Sequence, residues 1–257
     1  PAADLLKKLE PDWTTRVPDG LDPCSIPSNV LADYDLATRG VAFRAADGGR
    51  LAALEVPQDA IGSNNWIVAP SHSATGRAIL ANDPHREHGA PSLRYIVHME
   101  APGLSVIGAG EPALPGVSIG HNQKIAFGLT IFYADQEDLY VYETDPRDPD
   151  LYRYGDGWER MKVVHETVEV RGRPAREVTL RFTRHGPVVF TDAGRHRAFA
   201  VRSVWGEPGT SAYFGSIEYM DARDWAGFSR TMDHWGAPSE NLVFASTAGD
   251  IGWIAAG

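Results

Sequence analysis

Several residue groups in this sequence have types and spacings that could do chemistry. Gly116-Val117-Ser118-Ile119-Gly120 fits the G-x-S-x-G pattern, which presents a serine nucleophile on a sharp strand-to-helix turn. Here Pro115 interrupts the approach and His121-Asn122-Gln123 leads into a strand, so the adopted reading is a glycine-rich turn between strands. Gly108-x-Gly110-x-x-Ala113 has dinucleotide-binding spacing, but Pro112 and Pro115 forbid the helix that such a loop must open. His85 and His88 could share a metal, yet Pro84 disfavours a regular helix there and no H-E-x-x-H follows. Asp135, Glu137 and Asp138 gather hard oxygen donors of the kind calcium takes, with a solvated acidic loop as the alternative. Gly62-Ser63 offers a hydroxyl that becomes a nucleophile only when a base takes its proton. Gly-Ser pairs are common in loops, so those two residues do not settle the matter by themselves.

The composition bounds these options. The chain has 257 residues, enough for one large or two small domains, with 43% hydrophobic and 23% charged residues as in ordinary globular proteins. A net charge of −10 and the lack of a Lys/Arg run argue against a nucleic-acid groove. No stretch approaches the roughly 20 apolar residues of a membrane helix. Cys24 is the single cysteine, so neither an internal disulfide nor a Cys-rich zinc site is expected. Pro1 opens the chain and Gly257 follows what reads as a strand still running, so an excised segment of a longer chain is expected.

The elements that must position these residues are mostly strands. Leu5, Leu6 and Leu9 predict a short amphipathic helix ended by Pro11, and Pro18 to Pro27 reads as loop. A hairpin is expected over Val41 to Val56, turning at Asp47-Gly48-Gly49. Trp66–Ala69 and Ala78–Ala81 read as buried strands, followed by a loop from Asn82 to Pro91 and a strand at Arg94–Met99. Gly and Pro punctuate residues 102–120. Strands are then predicted at Ile125–Thr130, Leu139–Glu143, Val168–Val170 and Val178–Phe182. A long helix is expected after a cap at Asp221, with Trp225, Phe228 and Met232 on one face. A final hairpin, Leu242–Ala245 and Ile251–Ile254, turns at Ala248-Gly249-Asp250.

Taken together, the fragments Gly62-Ser63-Asn64-Asn65-Trp66, Asn82-Asp83-Pro84-His85, Gly120-His121-Asn122 and Ile125-Ala126-Phe127-Gly128-x-Thr130 resemble the penicillin acylase family of N-terminal nucleophile hydrolases. Asp135 through Tyr140, Arg184-His185-Gly186-Pro187, Asn241-Leu242-x-Phe244-Ala245 and Gly249-Asp250-Ile251-Gly252 continue the match in the family's order, while residues 1–60 carry little of it. The resemblance implies an α+β fold, a β-rich and partial version of the αββα sandwich. It also implies a division at the processing site, with residues 1–62 ending a small chain and its linker and 63–257 beginning the large catalytic chain.

The chemistry implied is amide cleavage of an N-acylated small molecule of the penicillin, cephalosporin or acyl-homoserine-lactone kind. Cutting Gly62–Ser63 would free the α-amine of Ser63, whose pKa of about 7.7–8.0 leaves a useful neutral fraction to serve as base. Gly62, without a Cβ, suits the strained backbone of a peptide-to-ester shift. By resemblance the oxyanion donors are the side-chain amide of Asn241 and the backbone N–H of Ile131. His85 would polarise or orient the amine, and it is nearer to the cephalosporin and acyl-homoserine-lactone pattern than to the phenylacetyl type. No catalytic cofactor is implied. A structural calcium on Asp135, Glu137 and Asp138 is. The expected partners are the substrate and the remaining small- and large-chain segments, with no nucleic acid or membrane, and the family points to a periplasmic or secreted setting. The alternatives are an unprocessed, inactive member acting as a structural or binding module, and a conventional serine hydrolase using Ser118.

Overall fold

Short runs of β-branched, aromatic and small apolar residues, cut by glycine turns, give a chain dominated by strands. The computed structural model describes residues 16–39, 62–86, 92–112, 114–132, 134–210 and 215–257. The expected helix at Leu5–Leu9 and hairpin over 41–56 lie outside these residues, as does His88. The strands are β1 (Gly62–Val68), β2 (Ile79–His85), β3 (Tyr95–Ala101), β4 (Leu104–Gly110), β5 (Ile119–Asn122), β6 (Ile125–Ile131) and β7 (Glu137–Glu143). They continue as β8 (Leu151–Tyr154), β9 (Gly157–Arg160), β10 (Lys162–Val168), β11 (Arg176–Thr183), β12 (Gly186–Asp192), β13 (Arg197–Ser203), β14 (Glu240–Ser246) and β15 (Ile251–Ala256). The α-helices are α1 (Ala32–Thr38), α2 (Gly215–Tyr219) and α3 (Trp225–Arg230). None of the described helices is long and apolar enough to cross a membrane.

The chain forms two compact units. The first comprises Pro1–Arg39, Val141–Thr183 and Val188–Ala200. Its β8–β9 hairpin turns through Gly155, whose φ of 55° suits a residue without a Cβ. Tyr142 and Tyr152 meet edge to face at 4.8 Å, and Phe199 is fully buried against Phe190.

The second unit, Gly40–Tyr140, Arg184–Pro187 and Val201–Gly257, holds the residues singled out above. Its six-stranded sheet runs in the order β15-β14-β6-β5-β4-β3, and a β1–β2 ribbon packs against β6 and β14. Strand alternation separates two faces of the large sheet. One face carries Phe127, Leu129, Leu242 and Phe244, which bury against Tyr219, Phe228, Met232 and Trp235 from the α2–α3 region. Each of these large side chains adds roughly 1.5–3 kcal/mol by leaving water. The other face carries the smaller Ala126, Gly128 and Ala245, and the ribbon comes down there. A Cβ on Gly128 would overlap Asn82 Oδ1, so glycine is what lets β2 approach.

Three sequence expectations change. β2 continues through Asp83 and Pro84 to His85 instead of opening into a loop at Asn82. Proline fits there because, among the described residues, β2 pairs with β1 alone. β4 occupies part of the stretch read as glycine punctuation. A Cβ on Gly108 would overlap Ile119 O and come within 2.7 Å of Gly120 Cα, so the glycines serve close crossing of β4 and β5. The late helix is shorter than expected and is capped by Asp224, whose Oδ1 accepts from Gly227 N–H at 2.7 Å, rather than by Asp221. Thr231 Oγ1 donates back to the Phe228 carbonyl at its far end.

Candidate active site

Ser63 sits near the start of β1, opposite Pro84 in antiparallel register, with Gly62 opposite His85. The expected processing bond therefore falls inside a paired strand of the second unit. Alternation along β1 sends Ser63 and Asn65 to the half-buried face and Asn64 and Trp66 outward. Asn65 Nδ2 donates to the backbone carbonyl of Asn241 at 3.1 Å, which ties β1 to β14 two residues beyond Ser63. Asn82, on the same face of β2, accepts from Leu129 N–H and donates to Asn64 O at 3.4 Å.

Asn241 is half-buried and lies opposite Thr130 on β6 and Ala255 on β15. Trp253 Nε1 donates to its Oδ1 at 3.2 Å. An indole nitrogen can only donate, so this bond identifies the amide oxygen and leaves Nδ2 as the donating end.

The backbone of Ile131 is aimed by strand arithmetic. Phe132 N–H donates to Ser239 O at 3.1 Å, which makes Phe132–Ser239 a hydrogen-bonded pair continuing the β6–β14 ladder. Alternation then makes Ile131–Glu240 a non-hydrogen-bonded pair. The Ile131 N–H consequently points away from β14, to the same edge as Leu129 N–H, which Asn82 of the ribbon receives.

His85 lies across the ribbon from Gly62. Its ring shares the outer face of the ribbon with Asn64 and Asp83, not the face of the Ser63 hydroxyl, because one residue along a strand reverses the side. Nε2 lies 3.0 Å from Asp83 Oδ2 and 3.3 Å from the Asn64 amide. A carboxylate only accepts, so in that pair Nε2 carries the proton, and the Nδ1 of a neutral ring is left toward Gly62. A Cβ on Gly62 would sit 3.6 Å from that nitrogen, an ordinary contact that does not itself demand glycine.

Arg86 occupies the face of the Ser63 hydroxyl instead. Its Nη1 donates to Gly62 O at 2.8 Å and to His85 O at 2.8 Å, and lies 3.4 Å from Ser63 Oγ. Sequence reasoning passed over Arg86, Asp83 and Trp253. A D-x-H pair on one strand face was a readable signal for Asp83; the other two depend on register across strands. Arg86 also lines a cleft of about 760 Å³ in which Leu93, Leu114, Ile131, Phe132 and Trp205 stand beside the charged Arg94, Glu111 and Glu137.

The remaining candidates fare differently. Ser118 is buried in the bend just ahead of β5, its N–H bonded to Ala109 O and its carbonyl accepting from Tyr219 Oη at 3.0 Å, so it is not an exposed elbow nucleophile. Asn122 spends its side chain on structure, donating to Met220 O and Ala222 O and accepting from the N–H groups of Lys124 and Ile125. Glu137 and Asp138 are consecutive in β7 and point to opposite faces. Among the described residues no group of three or more His, Cys, Asp or Glu side chains is arranged to hold a metal.

Comparison with known proteins adds to this geometry. A sequence model of the penicillin amidase family matches residues 2–257. The chain is 36% identical over 195 residues to a penicillin acylase 2 proenzyme of Pseudomonas sp. (strain SE83), covering 75% of this chain and 25% of that protein. It is 36% identical over 137 residues to the acyl-homoserine lactone acylase QuiP of Pseudomonas aeruginosa, covering 52% of this chain and 16% of that one. Among solved structures it resembles a thermostable penicillin G acylase from Alcaligenes faecalis, with a TM-score of 0.68 and 28% identity over 75% of this chain and 35% of the other. The chain spans about a quarter of the length of the penicillin acylase 2 proenzyme it matches. The structural likeness marks the fold as a partial, β-rich α+β fold of that enzyme's kind.

Proposed function

The chain belongs to the penicillin amidase family, and from that premise we propose that it is part of an acylase that hydrolyses the amide bond of N-acylated small molecules through Ser63. Cleavage of Gly62–Ser63 frees the serine's α-amine, which takes the hydroxyl proton as Oγ attacks the substrate carbonyl. Asn241 Nδ2 and Ile131 N–H receive the oxyanion. The protonated amine then passes its proton to the leaving amine, and water releases the carboxylic acid from the acyl-enzyme. His85 acts with Asp83 as a positioning pair beside the new N-terminus. The apolar side chains of the cleft suit an apolar acyl group, and the remaining segments of the precursor complete the site.

The observation that carries this reading is the tie between β1 and β14. The Asn65 bond to Asn241 O couples the strand of the nucleophile to the strand of the amide donor, while Trp253 holds the donor's orientation. The test is a panel of N-acyl amide substrates on the full-length processed protein. Carboxylic acid release that disappears in Ser63→Ala supports the reading. Activity that survives in Ser63→Ala, or a folded wild-type protein inert toward the whole panel, overturns it in favour of a binding or structural role.

A further inference from the structure

The Gly62 carbonyl oxygen, where charge would develop if the expected processing bond were attacked, is held by two donors. Arg86 Nη1 reaches it at 2.8 Å and Ser63 Oγ at 2.6 Å. The guanidinium is fixed from behind, since the same nitrogen donates to His85 O at 2.8 Å on the strand paired with β1. It is half-buried, and arginine keeps its charge at any pH the protein experiences. A permanent positive charge thus sits on an amide oxygen adjacent to a hydroxyl nucleophile. That arrangement serves no need of β-pairing, which uses backbone groups alone.

We propose that Arg86 is the oxyanion donor of maturation: its guanidinium stabilises the negative charge that develops on Gly62 O when Ser63 Oγ attacks the Gly62 carbonyl carbon. The proposal rests on the reading that Ser63 is released as an N-terminus, and it assigns the residue that makes the release fast. In the first step the Oγ–C bond forms and the hydroxyl proton passes through solvent to the Ser63 nitrogen. The C–N bond then breaks, leaving an ester between Gly62 and Ser63 Oγ and a free amine on Ser63. A water molecule adds to the ester carbon, the C–Oγ bond breaks, and Oγ regains a proton. Net, one water converts the peptide into the Gly62 carboxylate and the Ser63 ammonium. Arg86 acts on the oxygen throughout and exchanges no proton. Asn241 and Ile131 serve a different carbonyl, that of the substrate, so the molecule carries separate donors for making the catalyst and for using it.

The experiment follows the split of full-length precursor over time by intact-mass spectrometry, in wild type, Arg86→Ala and Arg86→Lys, with folding checked by circular dichroism. Losing one preorganised oxyanion donor slows such a step by about 10²- to 10³-fold, so folded Arg86→Ala accumulates as intact precursor. Arg86→Lys splits at an intermediate rate, because an ammonium supplies charge without the planar fork. Millimolar guanidinium added to Arg86→Ala speeds the split, a response that a merely structural arginine does not give. If wild type splits at Gly62/Ser63 while folded Arg86→Ala splits equally fast, the role of Arg86 is overturned and the processing reading stands. If Arg86→Ala does not fold, Arg86→Lys decides, and wild-type speed in it overturns the proposal. A folded wild-type precursor that never splits overturns the processing reading and this proposal with it.

Discussion

The indole of Trp253 donates to Asn241 Oδ1 across 3.2 Å, from a strand that pairs with the asparagine's own. A neutral amide can turn end for end at little cost, but not while a donor-only partner holds its oxygen. The consequence is that Nδ2 is presented in one orientation before any substrate arrives. Trp253→Phe keeps the ring and removes the donor. Its expected effect is a fall in kcat of up to about 10-fold with KM little changed, matching the roughly 0.5–1.5 kcal/mol of one neutral hydrogen bond. Steady-state kinetics on the processed protein check this, and a change confined to KM would contradict it.

Asn241→Ala removes the donor itself. A loss of about 10²- to 10³-fold in kcat is expected, the scale seen for one oxyanion-hole donor. Folding should survive, because Asn65 bonds the backbone carbonyl of residue 241 and not its side chain. Kinetics paired with a thermal melt separate the two effects.

Gly128→Ala puts a methyl group where Asn82 Oδ1 lies, and Asn82 is held there by Leu129 N–H. The side chain must leave, and the Leu129 donor loses its partner. A destabilisation of about 1–3 kcal/mol is expected from overpacking and the lost bond together. Urea unfolding measures it. Asn82→Ala in the Gly128→Ala background should restore space without restoring the bond, so the double variant should cost no more than the single one.

In the first unit, the Arg160 guanidinium donating to Asp148 at 2.7 Å holds that carboxyl below its usual range. A depressed folded pKa contributes stability above the unfolded value, near 3.9, and loses it as pH falls through the lower folded value. Asp148→Asn should therefore make acid unfolding less steep at the low end while changing little at neutral pH. Arg160 is exposed and Asp148 only half-buried, so the effect is small and shrinks with added salt. Acid titration followed by circular dichroism at two ionic strengths reads it.

Much of the fold is legible in the sequence. The final hairpin was readable because Gly249, at φ 99°, punctuates two apolar runs. The β-rich fold followed from similar runs throughout. Ser63, Ile131 and Asn241 could be named from motif resemblance, since each lies within or beside a fragment matched in order. Arg86 and Trp253 could not. Their partners stand across strand pairs, and a register is fixed by the packed faces and not by local spacing. For the same reason the sequence does not say which side of β2 the His85 ring takes. The extent of β2 was hidden by Pro84, which argues for loop unless the strand is known to pair on one side only, as β2 does among the described residues.

The central claim is that acyl transfer runs through Ser63 as a free N-terminus. It is tested most directly by trapping the full-length protein with a slowly hydrolysed N-acyl substrate and measuring the masses of its chains. The expected result is a chain that begins at Ser63 and carries one acyl group, with the adduct located on Ser63 by peptide mapping and absent from Ser63→Ala. An active protein in which Gly62 remains bonded to Ser63, or an acyl group found on another residue, would contradict it.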